Sequence, residues 1–333
     1  HRIAADCISG KFYSPYCGYG TGNVERSVLT GLHSRYFPYG ANICYFDTED
    51  LTALTALPEI FRQNGYSTLA LHTYNSSLYN REKSFPLLGF DRVMFQDDFY
   101  DETRLKGGYL SDDYFADLII RNYEELTQDG SPAFIFGISM ENHQPYYGEK
   151  FDSYDITVKS DLLSESELGS MRAITQGIHD ADKMAEKIIS YFADIDKPVI
   201  VAYFGDHRPS TPTDDGSTLY VKLQMAASTA EDSWSLDEHE LLHSTDYIIW
   251  SNYDAFSPAR KDTSSVLLGN DILNLTGLEK PLFWHFLDEL ESEVCAYEES
   301  YFVSAEGTVS YSPTQDSLEV IDKYQDIVYD IYY

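Results

Sequence analysis

The stretch VIVAYFGDHRPS, residues 199–210, decides the fold class of this chain. Its apolar beginning predicts a buried strand, and two polar residues, Asp206 and His207, follow that strand almost at once. Strands that are apolar throughout are typical of parallel sheets covered by helices on both faces. Ligands of such sheets bind beyond the carboxyl ends of the strands, so Asp206 and His207 are candidate site residues.

The rest of the chain alternates between helical and strand-like patterns in the same way. Helices are predicted over 54–65, over the amphipathic stretch DDYFADLIIRNYEELTQDG and from about Ser164 to Asp194; strands are predicted over 66–72, over 133–140 and from Tyr247. This alternation predicts an α/β fold with a mostly parallel sheet and helices on both faces. We expect residues 1–291 to form the main domain, with a polar surface excursion over 211–245. Residues 292–333, rich in Tyr and Glu, are expected to form a small C-terminal subdomain.

Two further predicted strands also end in polar clusters. LHTYNSSLYNR, residues 71–81, contains His72 and Arg81, and SMENHQPY, residues 139–146, contains His143. An Asp-His pair at a strand end suits a divalent cation, and an arginine with histidines nearby suits a phosphate. Each group alone is equally typical of a hydrogen-bonded structural residue or a polar loop. Their occurrence at three strand ends favours one shared site.

Thr21 lies in GYGTGNVERSVLTGL, residues 18–32, between a glycine pair and a helical pattern. The glycines permit a tight turn, so Thr21 is expected at or beside a helix N-terminus. That position suits a helix cap, and it also suits a hydroxyl presented to a phosphate or sulfate. Both interpretations stay open on these residues alone.

Charge and cysteine content narrow the function classes. Acidic residues outnumber basic ones 55 to 23, and the net charge of −32 argues against nucleic-acid binding. The chain contains no membrane-spanning apolar run and no signal-like beginning, so we expect a soluble chain, from which a targeting or anchoring segment could have been removed. Cys7 or Cys44 could pair with Cys17, while free thiols, Cys295 included, are an equal alternative.

Four stretches together resemble the extracellular domain of lipoteichoic acid synthase-like phosphoglycerol transferases, a group of the alkaline phosphatase and sulfatase superfamily. They are GYGTGNVERSVLTGL, GYSTLALHTYNSSLYNREKSFPLLGFDRV, FGISMENHQPY and VIVAYFGDHRPS. The resemblance extends from about residue 8 to about residue 255 and returns in YQDIVYDIYY at the end. It implies an alkaline phosphatase/sulfatase-like fold and a membrane-associated enzyme on the extracytoplasmic, cell-envelope face of a bacterial membrane.

The resemblance implies that Thr21 is the catalytic nucleophile and also a metal ligand. Asp206 and His207 would be the other metal ligands, holding Mn²⁺ or Mg²⁺, with Zn²⁺ less favoured. The implied reaction is ping-pong: a lipid phosphodiester gives glycerol phosphate to Thr21, and an acceptor hydroxyl then takes it. The implied partners are a phospholipid head group or a glycerol-phosphate polymer, and the membrane through a segment absent from this chain.

The same resemblance implies the substrate-binding residues. His143 would bind the phosphoglycerol head and assist the leaving group, together with His72 and Arg81. Tyr79 would line the same pocket, where some relatives carry tryptophan. The family also has an acidic metal ligand tens of residues before the nucleophile, whereas Asp6 is the only acid before Thr21 and is too close to match. We therefore expect the chain to begin after the family's membrane helices, first strand and that ligand, which would weaken metal binding and activity.

Other functions compete with this interpretation. A phosphoethanolamine transferase or phosphodiesterase would use the same threonine chemistry, whereas a sulfatase needs a Cys/Ser-x-Pro-x-Arg stretch that no cysteine here begins. HELLH, residues 239–243, matches the HExxH signature of zinc proteases, with Glu240 as the base. A strand-like pattern follows this stretch at once and no third ligand is evident, which favours a chance match in a surface helix. A binding module that kept the fold and lost the chemistry is the remaining alternative.

Overall fold

The computed structural model describes residues 7–36, 54–253 and 255–332. Asp6 and Cys44, considered above as a metal ligand and a disulfide partner, lie outside the described residues. Within these ranges, no helix has both the length and the apolar character needed to cross a bilayer.

The helices occupy the positions that the sequence pattern predicts, with small shifts at their ends. The long helix begins after Ser164, whose hydroxyl accepts from the Glu167 amide in a capping box, and it ends at Ala193. The helix predicted from residue 54 begins at Leu57 because Pro58 fits only the first turn of a helix. The α-helices are α1 (Thr21–Thr30), α2 (Leu57–Gln63), α3 (Arg81–Leu87), α4 (Asp112–Leu126), α5 (Glu165–Ala193), α6 (Leu219–Lys222), α7 (Leu236–Leu242), α8 (Leu268–Thr276), α9 (Leu282–Glu291) and α10 (Gln315–Tyr332).

Short 3-10 helices and the strands complete the described structure. The 3-10 helices are Ser34–Tyr36, Leu78–Asn80, Gln96–Asp98, Glu102–Arg104 and Glu231–Ser233. The strands are β1 (Cys7–Tyr13), β2 (Ser67–His72), β3 (Arg92–Phe95), β4 (Leu105–Lys106), β5 (Tyr109–Leu110), β6 (Ala133–Ile138), β7 (Ile200–Phe204), β8 (Ser244–Ser251), β9 (Ala259–Arg260), β10 (Thr263–Ser264), β11 (Val294–Tyr297), β12 (Phe302–Ser304) and β13 (Val309–Ser310).

Two sheets form the centre of the fold. One has the order β3-β2-β6 and is entirely parallel, with His72 opposite Ile138. The other has the order β10-β1-β8-β7, with β9 also paired to β1, and β8 runs antiparallel to both of its neighbours. The excursion over residues 205–243 returns the chain to the end at which β7 finishes, so β8 begins there and runs back. The sheets are therefore less uniformly parallel than the sequence predicts.

Helices cover both faces of these sheets, as predicted. Along β8, Ile249 packs with Val24 of α1 and Leu268 of α8, whereas the next residue, Trp250, packs with Phe192 of α5. This alternation follows from the two-residue period of a strand. Helix α4 lies against α5 on the second face. The sheets are thus buried between helical layers, and their strand ends are the places open to a ligand.

The C-terminal residues form an antiparallel sheet, β11-β12-β13, followed by α10. Trp284 of α9 is fully buried in a core that also contains Phe302 of β12 and Val328 of α10. The Tyr324 hydroxyl donates to the Gly31 carbonyl at 2.8 Å and accepts from the His33 amide at 2.7 Å, which ties α10 to the end of α1. The division into 1–291 and 292–333 stays a prediction.

Candidate active site

Thr21 is the first residue of α1, at the edge where the strand ends meet. Gly20 precedes it with a φ of 101° and is the N-cap residue. A left-handed backbone favours glycine there, and a Cβ on Gly20 would lie 2.3 Å from the Tyr16 ring. The interpretation of Thr21 as the helix cap is therefore wrong. Its hydroxyl lies 3.1 Å from Nε2 of His207 instead.

Asp206 and His207 follow β7 and lie beside the Thr21 hydroxyl. His207 Nδ1 donates to the Arg208 carbonyl at 2.8 Å, so in the neutral ring Nε2 carries the lone pair. That Nε2 is 3.3 Å from Asp206 Oδ2 as well as close to Thr21. The His207 side chain is 14% exposed and the Asp206 side chain is 34% exposed, which leaves the group reachable from solvent.

Thr21, Asp206 and His207 together offer a hydroxyl, a carboxylate and an imidazole. This mixture of oxygen and nitrogen donors fits Mn²⁺, Mg²⁺ or Zn²⁺. Across the ranges that the structure describes, no third acidic, imidazole or thiol group joins Asp206 and His207 to make a three-residue ligand set. The cluster therefore fits a divalent cation whose coordination other ligands would complete.

Arg81 and His72 come together beneath this site in a buried ion-pair network. Nε and Nη2 of Arg81 donate to the two carboxylate oxygens of Glu25 at 2.9 and 2.5 Å. Nη1 of Arg81 donates to His72 Nε2 at 3.0 Å. Burial, and then the Arg81 charge, lower the pKa of His72 to about 3, so its ring is neutral. Arg81 and His72, the two residues that the sequence predicts to bind substrate, are both buried, and their contact with substrate stays a prediction.

Sequence reasoning misses Glu25, the carboxylate that holds Arg81. Glu25 lies four residues after Thr21 in α1 and is therefore on the same helix face, one turn further along. Burial raises the pKa of Glu25, the pair with Arg81 offsets part of that rise, and the Asp206 charge adds to it. The i, i+4 spacing from Thr21 is the signal that would have found this residue.

Tyr79 has an unusual backbone conformation next to Arg81. Its φ is +59°, a left-handed value that is uncommon for a residue with a Cβ. The Arg81 guanidinium carbon lies 4.8 Å from the centre of the Tyr79 ring. Such conformations persist where surrounding contacts impose them, and they are frequent at ligand sites. The placement agrees with the predicted role of Tyr79 as a pocket wall, which stays a prediction.

His143 follows β6 and is exposed. Its Nδ1 donates to the Gln144 carbonyl at 2.8 Å and lies 3.3 Å from the Tyr109 hydroxyl. The Lys150 ammonium donates to the His143 carbonyl. Sequence reasoning misses Tyr109 and Lys150, because they reach His143 from separate segments. The hydrogen bond from Nδ1 to a carbonyl fixes the orientation of the ring, so Nε2 is the ring nitrogen that can face a substrate.

The strand ends lie within electrostatic reach of one another. Burial raises the pKa of Tyr146, in the loop that follows His143, and the Asp206 charge raises it further. His143 in turn contributes to the low pKa of His72. The ends of β2, β6 and β7 therefore influence one another electrostatically, and their union in one site stays a prediction.

The cysteines and the HELLH stretch lie outside this group. Cys17 carries a free thiol, so no disulfide joins it to Cys7, and burial raises its pKa to about 12. Cys295 is also free. Helix α7 ends at Leu242, just before the second histidine, as predicted.

The chain matches known proteins over most of its length. Residues 4–278 match the Sulfatase family. A protein of Rhizobium meliloti (strain 1021), provisionally named for cyclic beta-1,2-glucan modification, is 28% identical over 281 residues, which cover 84% of this chain and 42% of that protein. Lipoteichoic acid synthase 1 of Bacillus subtilis (strain 168) is 26% identical over 193 residues, which cover 57% of this chain and 28% of that protein. The chain thus spans less than half the length of these relatives.

Solved structures share the fold at low sequence identity. The Streptococcus pyogenes phosphoglycerol transferase GacH, in complex with sn-glycerol-1-phosphate, has a TM-score of 0.74 at 19% identity and covers 99% of this chain and 78% of its own. The lipoteichoic acid synthase LtaP from Listeria monocytogenes has a TM-score of 0.70 at 19% identity. The match covers 99% of this chain and 84% of the LtaP chain. The C-terminal periplasmic domain of EcEptC from Escherichia coli, in complex with Zn, has a TM-score of 0.52 at 15% identity. The match covers 82% of this chain and 72% of the EcEptC chain. These similarities confirm the predicted alkaline phosphatase/sulfatase-like α/β fold.

Proposed function

This chain belongs to the Sulfatase family of the alkaline phosphatase superfamily, whose members are phosphotransferases and hydrolases, and from that premise we propose that it is a metal-dependent phosphoglycerol transferase. Its substrate would be a lipid phosphodiester, and its role would be the synthesis or modification of a cell-envelope polymer. The observation that carries the proposal is the 3.1 Å approach of the Thr21 hydroxyl to His207 Nε2, beside Asp206 at the N-terminus of α1.

Thr21 is the proposed nucleophile because of its position as much as its hydroxyl. The first N–H groups of α1 and the positive end of its dipole favour a phosphate at this place. Asp206 and His207, with Thr21, would hold Mn²⁺ or Mg²⁺, and the bound ion would lower the pKa of the hydroxyl and offset charge on the phosphoryl oxygens. The Thr21 oxygen then bonds to phosphorus as the phosphorus–oxygen bond to the lipid breaks, and the hydroxyl proton is lost to solvent.

His143 is the proposed proton donor to the departing lipid oxygen. The Gln144 carbonyl holds Nδ1, and Tyr109 packs against the imidazole with ring centres 5.8 Å apart. These contacts fix the ring while leaving the side chain exposed to a substrate. In the second half-reaction an acceptor hydroxyl displaces the Thr21 oxygen from phosphorus, the same histidine takes up the acceptor's proton, and the Thr21 oxygen regains a proton from solvent.

Arg81, His72 and Tyr79 are the proposed binding side for the glycerol phosphate head. The Glu25 pair fixes the Arg81 guanidinium, and Tyr79 lies against it. The names of the similar proteins support an extracytoplasmic site with a phospholipid head group or glycerol-phosphate polymer as partner, because they concern glycan modification, lipoteichoic acid synthesis and a periplasmic domain. Membrane proximity would come from a segment outside this sequence.

One observation favours a second candidate, a binding domain without complete catalytic machinery. Within the described ranges, Asp206 and His207 have no third acidic, imidazole or thiol partner at the proposed metal position. Such a domain would bind glycerol phosphate and cleave nothing. Phosphoethanolamine transfer would use the same Thr21 chemistry on a different head group.

Cleavage of two phospholipids separates these candidates. The chain is incubated with Mn²⁺ and fluorescent phosphatidylglycerol or phosphatidylethanolamine in micelles, and release of labelled diacylglycerol is followed. We expect release from phosphatidylglycerol that depends on Mn²⁺ and is lost in Thr21→Ala. Preferred release from phosphatidylethanolamine would assign the other head group. Saturable glycerol phosphate binding without release from either lipid would favour the binding domain and overturn the transferase proposal.

A further inference from the structure

Three potential metal ligands converge around α7, apart from the Thr21 group. One ring nitrogen each of His239 and His243 and one carboxylate oxygen of Glu231 lie within 4.8 Å of one another. The histidines are 3% and 4% exposed, whereas the Glu231 side chain is 42% exposed. We call these three residues the Glu231 cluster. In the described part of the chain, this is the one such grouping of three His, Cys, Asp or Glu side chains.

The hydrogen bonds of the two imidazoles leave a nitrogen on each ring available to bind a cation. His243 Nδ1 donates to the Ser14 carbonyl at 3.2 Å, which leaves a lone pair on Nε2 in the neutral ring. That Nε2 lies 2.8 Å from Glu231 Oε1, and two acceptors this close require a proton or a metal ion to hold them together. Nδ1 of the buried His239 has no hydrogen-bond partner among the described residues.

Aromatic rings surround the two histidines. The Trp234 ring centre lies 5.5 Å from that of His239 and 5.9 Å from that of His243. Tyr301 stacks on His239 at 5.8 Å. These walls restrict the rotation of both imidazoles and exclude water from one side, which strengthens electrostatic attraction to a cation. The partly exposed Glu231 leaves the other side open for entry.

The remaining acid of the HELLH stretch does not belong to this cluster. Glu240 Oε1 accepts from the Lys11 ammonium at 2.5 Å and lies 3.3 Å from the Tyr13 hydroxyl. It is therefore engaged with β1, where it cannot serve as the base of an HExxH protease. The zinc protease alternative is wrong in its mechanism, although the structure supplies in Glu231 the third ligand that the sequence does not reveal.

We propose that Glu231, His239 and His243 bind one Zn²⁺ at a site distinct from the proposed catalytic metal position. Two imidazoles and one carboxylate are a common protein ligand set for zinc, with water in a remaining position. Zn²⁺ binds imidazole more tightly than Mn²⁺ does, and this cluster offers two imidazoles where the Thr21 group offers one, which favours zinc here. The proposal does not depend on the transferase chemistry.

The site would connect α7 to the segment that leads into Thr21. The Ser14 amide donates to the His243 carbonyl at 2.8 Å, in addition to the contact between Ser14 and the imidazole. Arg208, next to His207, donates through Nε to the Leu241 carbonyl of α7 at 2.6 Å. A metal that joins the 3-10 helix at Glu231 to the C-terminal half of α7 would therefore also hold the Arg208 side of the Asp206–His207 turn in place.

Zinc stoichiometry in an Asp206→Asn background tests the proposal, because this substitution disables the Thr21 site. The full chain is loaded with Zn²⁺, dialysed against buffer and analysed for metal by mass spectrometry. We expect one Zn²⁺ per chain in Asp206→Asn and in Asp206→Asn with His285→Ala, an exposed histidine on α9. Adding His239→Ala should abolish it, and adding Glu231→Gln should weaken binding by about tenfold or more. No zinc in Asp206→Asn, or unchanged zinc after Glu231→Gln and His239→Ala, would overturn the proposal.

Glu231→Gln keeps the test decisive if the buried His239→Ala variant fails to fold. Glu231 is partly exposed, and glutamine preserves its shape, so this variant should fold as the parent does. Zinc should raise the thermal unfolding midpoint of the Asp206→Asn chain, since an ion that binds only the folded state stabilises it. The rise should be much smaller with Glu231→Gln and unchanged with His285→Ala. An equal rise in all three chains would also contradict the site, while loss of lipid cleavage alone would bear only on the Thr21 proposal.

Discussion

The Thr21 group and the Glu231 cluster are the two proposed metal sites, and they differ in how the chain builds them. Thr21, Asp206 and His207 come from a helix N-terminus and a strand end, remain partly exposed and face the other strand ends. The Glu231 cluster comes from one short helix and the turn before it, with its histidines buried between aromatic rings. The first arrangement suits a reaction with a substrate, and the second suits a fixed ion.

The contrast teaches that a literal motif and a functional site need not coincide. HELLH matches a catalytic signature, yet Glu240 bonds to Lys11 and Tyr13 on β1. No single stretch around Thr21 is diagnostic, yet polar side chains at three strand ends influence one another electrostatically, which supports the proposed site. Position in the fold therefore carries more functional information here than the match to a signature.

The largest expected effect separates the two groups by activity. Thr21→Ala should lower lipid phosphodiester cleavage by about three orders of magnitude or more, because it removes the attacking oxygen. Thr21→Ser keeps a hydroxyl at the same place and should retain much of the rate. Initial rates of diacylglycerol release with Mn²⁺ measure both. Equal rates in the alanine and parent chains would remove Thr21 from the mechanism.

The second effect concerns the ion pair under the Thr21 group. Arg81→Ala leaves the Glu25 carboxylate buried without its guanidinium, which should lower the free energy of unfolding by about 3–5 kcal/mol. Arg62→Ala breaks a solvent-exposed pair with Glu59 and should lower the free energy of unfolding far less, because water screens that pair. Urea denaturation of the two variants compares them directly. Similar losses would show that the buried pair does not stabilise the site.

The third expected effect, of intermediate size, is a pH dependence of stability that comes from Asp112, the buried first residue of α4. Burial raises the pKa of Asp112 from 3.8 to about 6, so the folded state binds its proton more tightly than the unfolded chain does. The resulting stability is present below pH 4 and is lost as the pH rises through 6. Asp112→Asn should reduce the loss in free energy of unfolding between pH 4 and pH 8 by an amount on the order of 2 kcal/mol.

The control for this effect is the neighbouring acid. Asp113 is exposed and pairs with Lys187, so Asp113→Asn should leave the decline between pH 4 and pH 8 largely in place. Thermal unfolding across that pH range measures both variants. A parent chain whose stability rises from pH 4 to pH 8 in step with Asp112→Asn would contradict the assignment.

The smallest effect tests how firmly α7 holds the Glu231 cluster. The Ser235 hydroxyl accepts a hydrogen bond from the Glu238 amide, and the Glu238 carboxylate accepts one from the Ser235 amide. Ser235→Ala should destabilise the chain by about 1 kcal/mol and weaken zinc binding slightly. Ser164→Ala removes the equivalent cap of α5 and should leave zinc binding unchanged. Equal zinc affinities in the two variants would show that this cap does not support the cluster.

The sequence predicts the parts of the fold that local pattern controls. Local sequence determines the capping residue Ser164, the apolar period of α5 and the apolar runs of β6 and β7. The structure has these elements at the predicted places. The polar strand ends are equally visible. The direction of β8 is not, because it depends on where the excursion over 205–243 returns the chain.

The contacts missed by sequence reasoning join residues that are far apart in the chain. Glu25 and Arg81 are separated by 56 positions, and nothing local marks them as partners. Tyr109 and His143 meet only after the β4-β5 hairpin and the loop after β6 pack together. Glu231 joins His243 because a 3-10 helix turns back onto α7. Such pairings follow from packing, which a single sequence does not display.

Covalent labelling of Thr21 tests the central proposal most directly. The chain is mixed with phosphatidylglycerol and Mn²⁺, quenched with acid and digested, and the peptides are analysed by mass spectrometry. The proposed mechanism predicts one glycerophosphoryl group on Thr21, absent from Thr21→Ala and accumulating when no acceptor is added. Diacylglycerol release that continues at the parent rate in Thr21→Ala, or a glycerophosphoryl group found on a different residue, would contradict it.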